Sequence, residues 1–155
     1  MGKGLGTCLQ VGRLPAIFNA KGSVIQPVND WLNDMCKAQD CKEKDLDKGR
    51  KAIQQHCQAE AADPTNVVYV LNEWINNYGT VRLGLCGQAQ GKDWCVTNVL
   101  TTVQDTAHVE INTAFVRSVM SGGGSATGPI KDTIEQGALC TDCFARYVNA
   151  AVNET

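Results

Sequence analysis

No stretch of this chain approaches the roughly 18 uninterrupted apolar residues that a helix needs to cross a bilayer, so no membrane span is expected in it. Neither sign of charge prevails. Against 14 Lys and Arg stand 16 Asp and Glu, and a net charge of −2 gives no global field for drawing in phosphate backbones or anionic lipid surfaces. Nucleic acid is therefore not an expected partner. Histidine is scarce: His56 and His108 lie in unrelated polar segments, where surface positions are expected. No Gly-x-Ser-x-Gly elbow occurs, so a serine nucleophile beside its base has no candidate. Carboxylate pairs such as Asp45 with Asp47, or Asp132 with Glu135, fall on charged helix faces where they stay ionised and solvated, whereas general acid work would need one of them buried. No catalytic residue, metal or cofactor is assigned on these grounds.

Two further motifs fail on inspection. Gly123-Gly124-Ser125-Ala126-Thr127-Gly128-Pro129 has the glycines of a phosphate cradle, but Pro129 stands where a Lys would be needed and the Ser or Thr for Mg²⁺ is missing, so a flexible linker is expected. The opening Met-Gly-Lys-Gly-Leu-Gly-Thr-Cys lacks the apolar run of a secretory leader, and Gly6 occupies the place where myristoylation wants Ser or Thr. It reads as the start of a mature form with a replacement initiator Met.

Against these absences stands an excess of cysteine. Eight thiols in 155 residues, an even number, are expected to pair as disulfides in an oxidising compartment. Zinc is the competing use, but it wants two close pairs about 12 to 20 residues apart, each giving half a tetrahedron. Only Cys140-Thr141-Asp142-Cys143 is that tight; Cys36 to Cys41 is looser and Cys57 stands alone. The Cys-x-x-Cys at Cys140 and Cys143 also suggests dithiol exchange. Redox enzymes carry that motif after a strand, whereas a helical segment, Ile130 to Gln136, precedes it here, so two structural half-cystines are expected. For the pairing, Cys86 with Cys95 would close a short polar loop and Cys41 with Cys57 would clamp the charged helix. Cys8 and Cys36 would then meet Cys140 and Cys143.

Helical spacing pervades the chain. Val24, Val28, Trp31, Leu32 and Met35 form one stripe, with Ser23 as a cap and Pro27 in the first turn. From Lys37 to Lys51 six basic residues interleave with Asp40, Glu43, Asp45 and Asp47, the pattern of a solvated face, while Leu46, Ile53 and Cys57 mark the buried side. After the break at Asp63-Pro64-Thr65, Val67, Val68, Leu71, Trp74, Ile75 and Tyr78 predict a helix that Gly79 closes as a left-handed cap. Trp94, Cys95, Val99, Leu100 and Val103 predict another; so do Ile111, Phe115 and Val119, stopped by Gly122-Gly123-Gly124. Pro129 suits the first turn of a helix holding Ile130 and Ile134, and Phe144, Tyr147, Val148 and Ala151 line a last one. Tyr69-Val70 and Thr80 to Leu85 could be extended, but no hairpin turn joins them. The expected fold is all-α: one domain, a disulfide-stapled bundle of six or seven helices over residues 23–155, preceded by an N-terminal arm at residues 1–22.

Trp31, Trp74 and Trp94 each fall on an apolar helix face. Core packing accounts for that, and a lined cavity for a lipid or sterol is the functional alternative. Asn153-Glu154-Thr155 is a glycosylation sequon at the end of the sequence.

Trp31-Leu32-Asn33-Asp34-Met35-Cys36-(x4)-Cys41, then Cys57, Leu85-Cys86-(x8)-Cys95-Val96-Thr97-Asn98-Val99-Leu100 and Leu139-Cys140-Thr141-Asp142-Cys143 form a pattern over roughly Val28 to Val152. In this the chain resembles a group of secreted, cysteine-rich proteins of mushroom-forming fungi. The resemblance implies an extracellular or wall-attached helical protein with no general activity established, often with a C-terminal lipid-anchor signal, where this tail is polar. The expected function is that of a non-enzymatic extracellular protein acting by surface contact, with the cell wall, with copies of itself, or with a host or neighbouring organism. A carrier of a small apolar ligand is the rival, and a dithiol oxidoreductase a more distant third.

Overall fold

The computed structural model describes residues 3–90, 93–120 and 124–146. Among these the chain is all-α, with ten α-helices, one 3-10 turn and no strand, apart from a single antiparallel bridge between Gln88 and Trp94. The helices are α1 (Lys3–Cys8), α2 (Leu14–Phe18), α3 (Ile25–Lys37), α4 (Glu43–His56) and α5 (Gln58–Ala61), then α6 (Val67–Asn76), α7 (Tyr78–Leu85), α8 (Cys95–Ala107), α9 (Thr113–Met120) and α10 (Gly124–Glu135). Residues 142–146 are helical as well.

That count exceeds the six or seven expected because single non-helical residues divide runs whose apolar period continues across them. Cys57, at φ −138°, separates α4 from α5, and Asn77, at φ −113°, separates α6 from α7. Gly79 is consequently inside α7, where it has helical neighbours on both sides and does not form a left-handed cap. Tyr69-Val70 and Thr80 to Leu85 are helical throughout. The glycine segment departs from expectation in the same way: Gly124 to Gly128 form the opening of α10, so Pro129 lies within the helix. Burial accounts for this. Ala126 is 1% exposed, its N–H donates to Ser118 Oγ at 3.2 Å, and the helix packs against α8 and α9. Packing thus outweighs the poor helix propensity of glycine and proline.

The segment set apart as an arm is built into the fold. α1 carries Gly4 and Gly6 and is far shorter than the roughly 12 residues a free helix needs, so it depends on tertiary anchors. Those are Leu5, Cys8 and Leu9, all buried, and a disulfide from Cys8 to Cys41. Gly49 of α4 makes the approach close. A Cβ there would meet Leu5 Cδ2 at 2.6 Å and Ile75 Cδ1 at 3.2 Å, so a side chain would require the ends of Leu5 and Ile75 to shift.

Apolar residues gather in two clusters. The larger holds Leu14, Ile17 and Val24, the α3 stripe Val28, Trp31, Leu32 and Met35, and Trp94, Val103, Ile111, Phe115, Ala126 and Leu139. The smaller joins Leu5, Cys8 and Leu9 to Cys41, Leu46, Ile53, Leu71 and Ile75. Trp31 links them through its Nε1–H, which donates to the Leu9 carbonyl of the smaller cluster at 3.0 Å, while its ring stacks on Trp74, packed against the larger one, at a centroid distance of 5.1 Å.

Three disulfides cross this frame: Cys8–Cys41, Cys36–Cys86 and Cys95–Cys143. They replace the pairs expected from the sequence, for physical reasons. Cys41 and Cys57 stand at opposite ends of α4, whose 14 residues span about 20 Å, far beyond the reach of a disulfide. The loop between Cys86 and Cys95 is closed by backbone bonds instead, Cys95 N–H to Gly87 O at 2.8 Å and Ala89 N–H to Asp93 O at 2.9 Å. Cys8 lies in the smaller cluster with Cys41, Cys36 packs against the larger beside Cys86, and Cys143 is taken by Cys95, so Cys8 and Cys36 do not meet Cys140 and Cys143. Cys57, half-buried, and Cys140, exposed, are unpaired.

Arg82 of α7 finishes α3. Its guanidinium donates to Met35 O at 3.0 Å, Cys36 O at 3.4 Å and Ala38 O at 2.7 Å, and Nε pairs with Asp40 at 2.6 Å. Carbonyls at a helix C-terminus lack intrahelical donors, and a cation is the charge that end favours. Arg82→Ala is expected to cost about 2 kcal/mol in urea unfolding, since the side chain is 15% exposed and its loss leaves several acceptors unpartnered. A cost indistinguishable from zero would show these bonds to be replaceable by water.

Candidate functional site

The three tryptophans are structural. Trp31 and Trp94 are buried, Trp94 Nε1–H donates to Asn33 Oδ1 at 3.0 Å, and Trp74 covers Trp31. None of the three lines either of the pockets described below. Cys143 is buried and bonded to Cys95, so Cys140 and Cys143 do not form a dithiol pair. His56 and His108 are exposed, and among the described residues no cluster of His, Cys, Asp and Glu has the arrangement of a metal site. Asn153 lies outside the described residues.

What the tertiary structure creates is a groove of about 540 Å³ where the two clusters adjoin. One wall comes from the N-terminal segment, Val11, Leu14, Pro15 and Phe18; the other is the start of α6, Val67 and Val68, with Leu71 one turn on. Uncharged polar groups of Asn19, Thr65 and Asn66 complete the lining, together with Arg117 of α9.

Local chemistry holds each wall. The Asp63-Pro64-Thr65 break is an Asx turn: Asp63 Oδ1 accepts from Thr65 N–H at 2.9 Å and from Thr65 Oγ1–H at 2.7 Å. The hydroxyl bond, aided by the backbone one, holds the Asp63 carboxyl below the usual carboxylate range. Asn66 then caps α6, its Oδ1 accepting from Val68 N–H at 2.9 Å. Opposite, Pro15 sits in the first turn of α2, where its missing N–H costs nothing, and Leu14 is buried. α9 is placed by Thr113, whose hydroxyl donates to Ile17 O at 3.1 Å, and by Asn112, whose Oδ1 accepts from Phe115 N–H at 3.0 Å. These bonds tie the start of α9 to the end of α2 and so bring Arg117 to the groove.

A second, larger pocket, about 790 Å³, surrounds the Cys8–Cys41 bridge. Lys37, Lys42 and Lys44 line it together with Asp34, Asp40 and Asp45, so its charges balance, and its apolar side chains are the small ones of Cys8, Ala38 and Cys41. Size alone would choose this pocket; chemistry chooses the groove.

Sequence reasoning missed the groove because its walls are far apart in the chain, one in the segment read as an N-terminal arm and the other in residues already assigned to a helix face. Val67 falls on the same i, i+4, i+8 stripe as Leu71 and Ile75, yet at the start of α6 it is 41% exposed, a departure only the tertiary structure displays.

Comparison with protein-family models, with curated proteins and with solved structures finds no match to this chain.

Proposed function

We propose that the chain is a non-enzymatic extracellular binding protein that carries a small apolar molecule in the groove between α2 and α6. The groove itself is the observation that carries the reading. Its volume falls within the roughly 300–1,000 Å³ of small-molecule sites, its walls are aliphatic and aromatic, and it lies where two apolar clusters meet. The three disulfides suit an oxidising compartment, and the resemblance to secreted cysteine-rich proteins of mushroom-forming fungi points the same way. Contact with a wall component or with other copies is less favoured: beyond the groove, the large exposed apolar residues Leu83, Val119 and Ile134 sit on three different helices.

A neutral fluorescent probe, N-phenylnaphthylamine, tests the reading without help from charge. Saturable, one-to-one enhancement is expected with the native chain, and Val67→Trp, which fills the groove from a half-exposed position, should weaken it about tenfold through lost apolar burial. Absence of saturable binding, or binding unchanged by Val67→Trp, would overturn it.

A further inference from the structure

The groove holds one charge, and that charge is unanswered. Arg117 is the single ionisable side chain among the lining residues, with no Asp or Glu beside it. Its guanidinium makes no ion pair or hydrogen bond among the described residues, and it is exposed to solvent. Three of the other four arginines are paired, whereas Arg146, exposed like Arg117, makes no ion pair among the described residues and lines none of the pockets described above. Arg13 pairs with Asp34, Arg50 with Glu43 and Asp47, and Arg82 with Asp40. Acidic residues outnumber basic ones, 16 to 14, so an arginine without a carboxylate partner at the edge of an apolar groove is a local reversal of the chain's charge.

Resting on the groove as the binding site, we infer that its ligand is a single-chain amphiphile with an apolar body and one carboxylate, seated with the carboxylate on Arg117. A guanidinium presents its N–H groups as a planar fork that matches the two oxygens of a carboxylate, and it is weakly enough hydrated to give up water at an apolar edge. The body of the ligand lies between Phe18 and Leu14 on one side and Val67 and Val68 on the other. No acidic side chain lines the groove, and the Asp63 carboxylate behind its α6 wall is held by the N–H and hydroxyl of the lining residue Thr65. A neutral apolar molecule would fill the same walls and leave the cation unused, so the inference concerns selectivity as well as occupancy.

Decanoate and decanol, matched in chain length and differing in the head group, separate the two properties when each displaces the neutral probe near neutral pH. Decanoate is expected to displace it at about fivefold lower concentration than decanol, the scale of a solvent-exposed charge pair, and added salt should shrink that margin. Arg117→Gln should abolish the preference, read as the ratio of decanoate to decanol displacement within the variant itself. Equal displacement by the two ligands, or a preference surviving in Arg117→Gln, would overturn the inference while leaving the groove as a neutral site. Failure of the probe to bind at all would instead strike the function proposed above. Sedimentation provides the remaining arm: a monomer at all concentrations is expected, and a dimer dissociated by Val67→Trp would mean that a second copy of this chain, not an amphiphile, occupies the groove.

Discussion

Trp31→Ala is expected to lower the free energy of unfolding by about 4 kcal/mol, among the largest effects of any single substitution in this chain. The side chain is 3% exposed in the middle of α3, so its removal leaves a large void bounded by helices that cannot all close over it. Two further losses add to the void. The stacking on Trp74 disappears, and the Leu9 carbonyl, buried beneath, loses the indole N–H it accepts from at 3.0 Å. Because Trp31 joins the two apolar clusters, the variant should also unfold less cooperatively, the smaller cluster melting first. Denaturant unfolding followed by far-ultraviolet dichroism measures both. A loss under about 1.5 kcal/mol with an unchanged slope would mean that the clusters do not depend on this contact. Trp31→Phe refines the test: it retains most of the volume and removes only the N–H, for an expected cost of about 1 kcal/mol.

The second large effect belongs to the Cys36–Cys86 bridge. Replacing both cysteines with alanine is expected to destabilise the protein by about 4 kcal/mol, the chain-entropy value for cross-linking positions 50 residues apart. This bridge and Arg82 act on the same junction, since Cys86 follows α7 and Cys36 lies in the last turn of α3, where Arg82 also binds. With the bridge gone, Arg82 becomes the remaining clasp. Arg82→Ala should therefore cost more in that background than in the native one, a coupling that a double-mutant cycle reads directly. Additive costs would show that the two clasps act independently. A non-reducing peptide map checks the connectivity itself, and a thiol titration of the unfolded, unreduced chain should find two thiols, those of Cys57 and Cys140.

The helices were legible in the sequence wherever apolar spacing and burial coincide. The stripe Val28, Trp31, Leu32, Met35 was read at its true register, as were the buried faces of α4 through Leu46 and Ile53 and of α8 through Val103. Ser23 does accept from Ile25 N–H, at 3.3 Å, and Asn66, not marked as a cap, begins α6. Boundaries inside long periodic runs were not legible, because the apolar period persists across Cys57 and Asn77 while the backbone does not. Glycine misled twice for one reason. Its freedom is a preference of the isolated chain, and at Gly79 and at Gly124 to Gly128 neighbouring helices decide the conformation. The single described glycine with positive φ is Gly137, at 70°, just after α10.

Of the proposed site, the sequence by itself displayed almost nothing. Composition determined that the chain would bury a helical core, that no helix among the described residues would be long and apolar enough to span a membrane, and that its cysteines would serve as scaffolding, which holds for six of the eight and fails for Cys57 and Cys140; these follow from local spacing and from counts. Tertiary structure alone decided which cysteines pair, which tryptophans face inward, and that Val11, Leu14 and Phe18 stand opposite Val67 and Val68 with Arg117 beside them. The reason is distance along the chain. Periodicity records which face of a helix is buried, but partner choice and the gap left between two packed faces depend on how separate helices cross, and no local pattern encodes that.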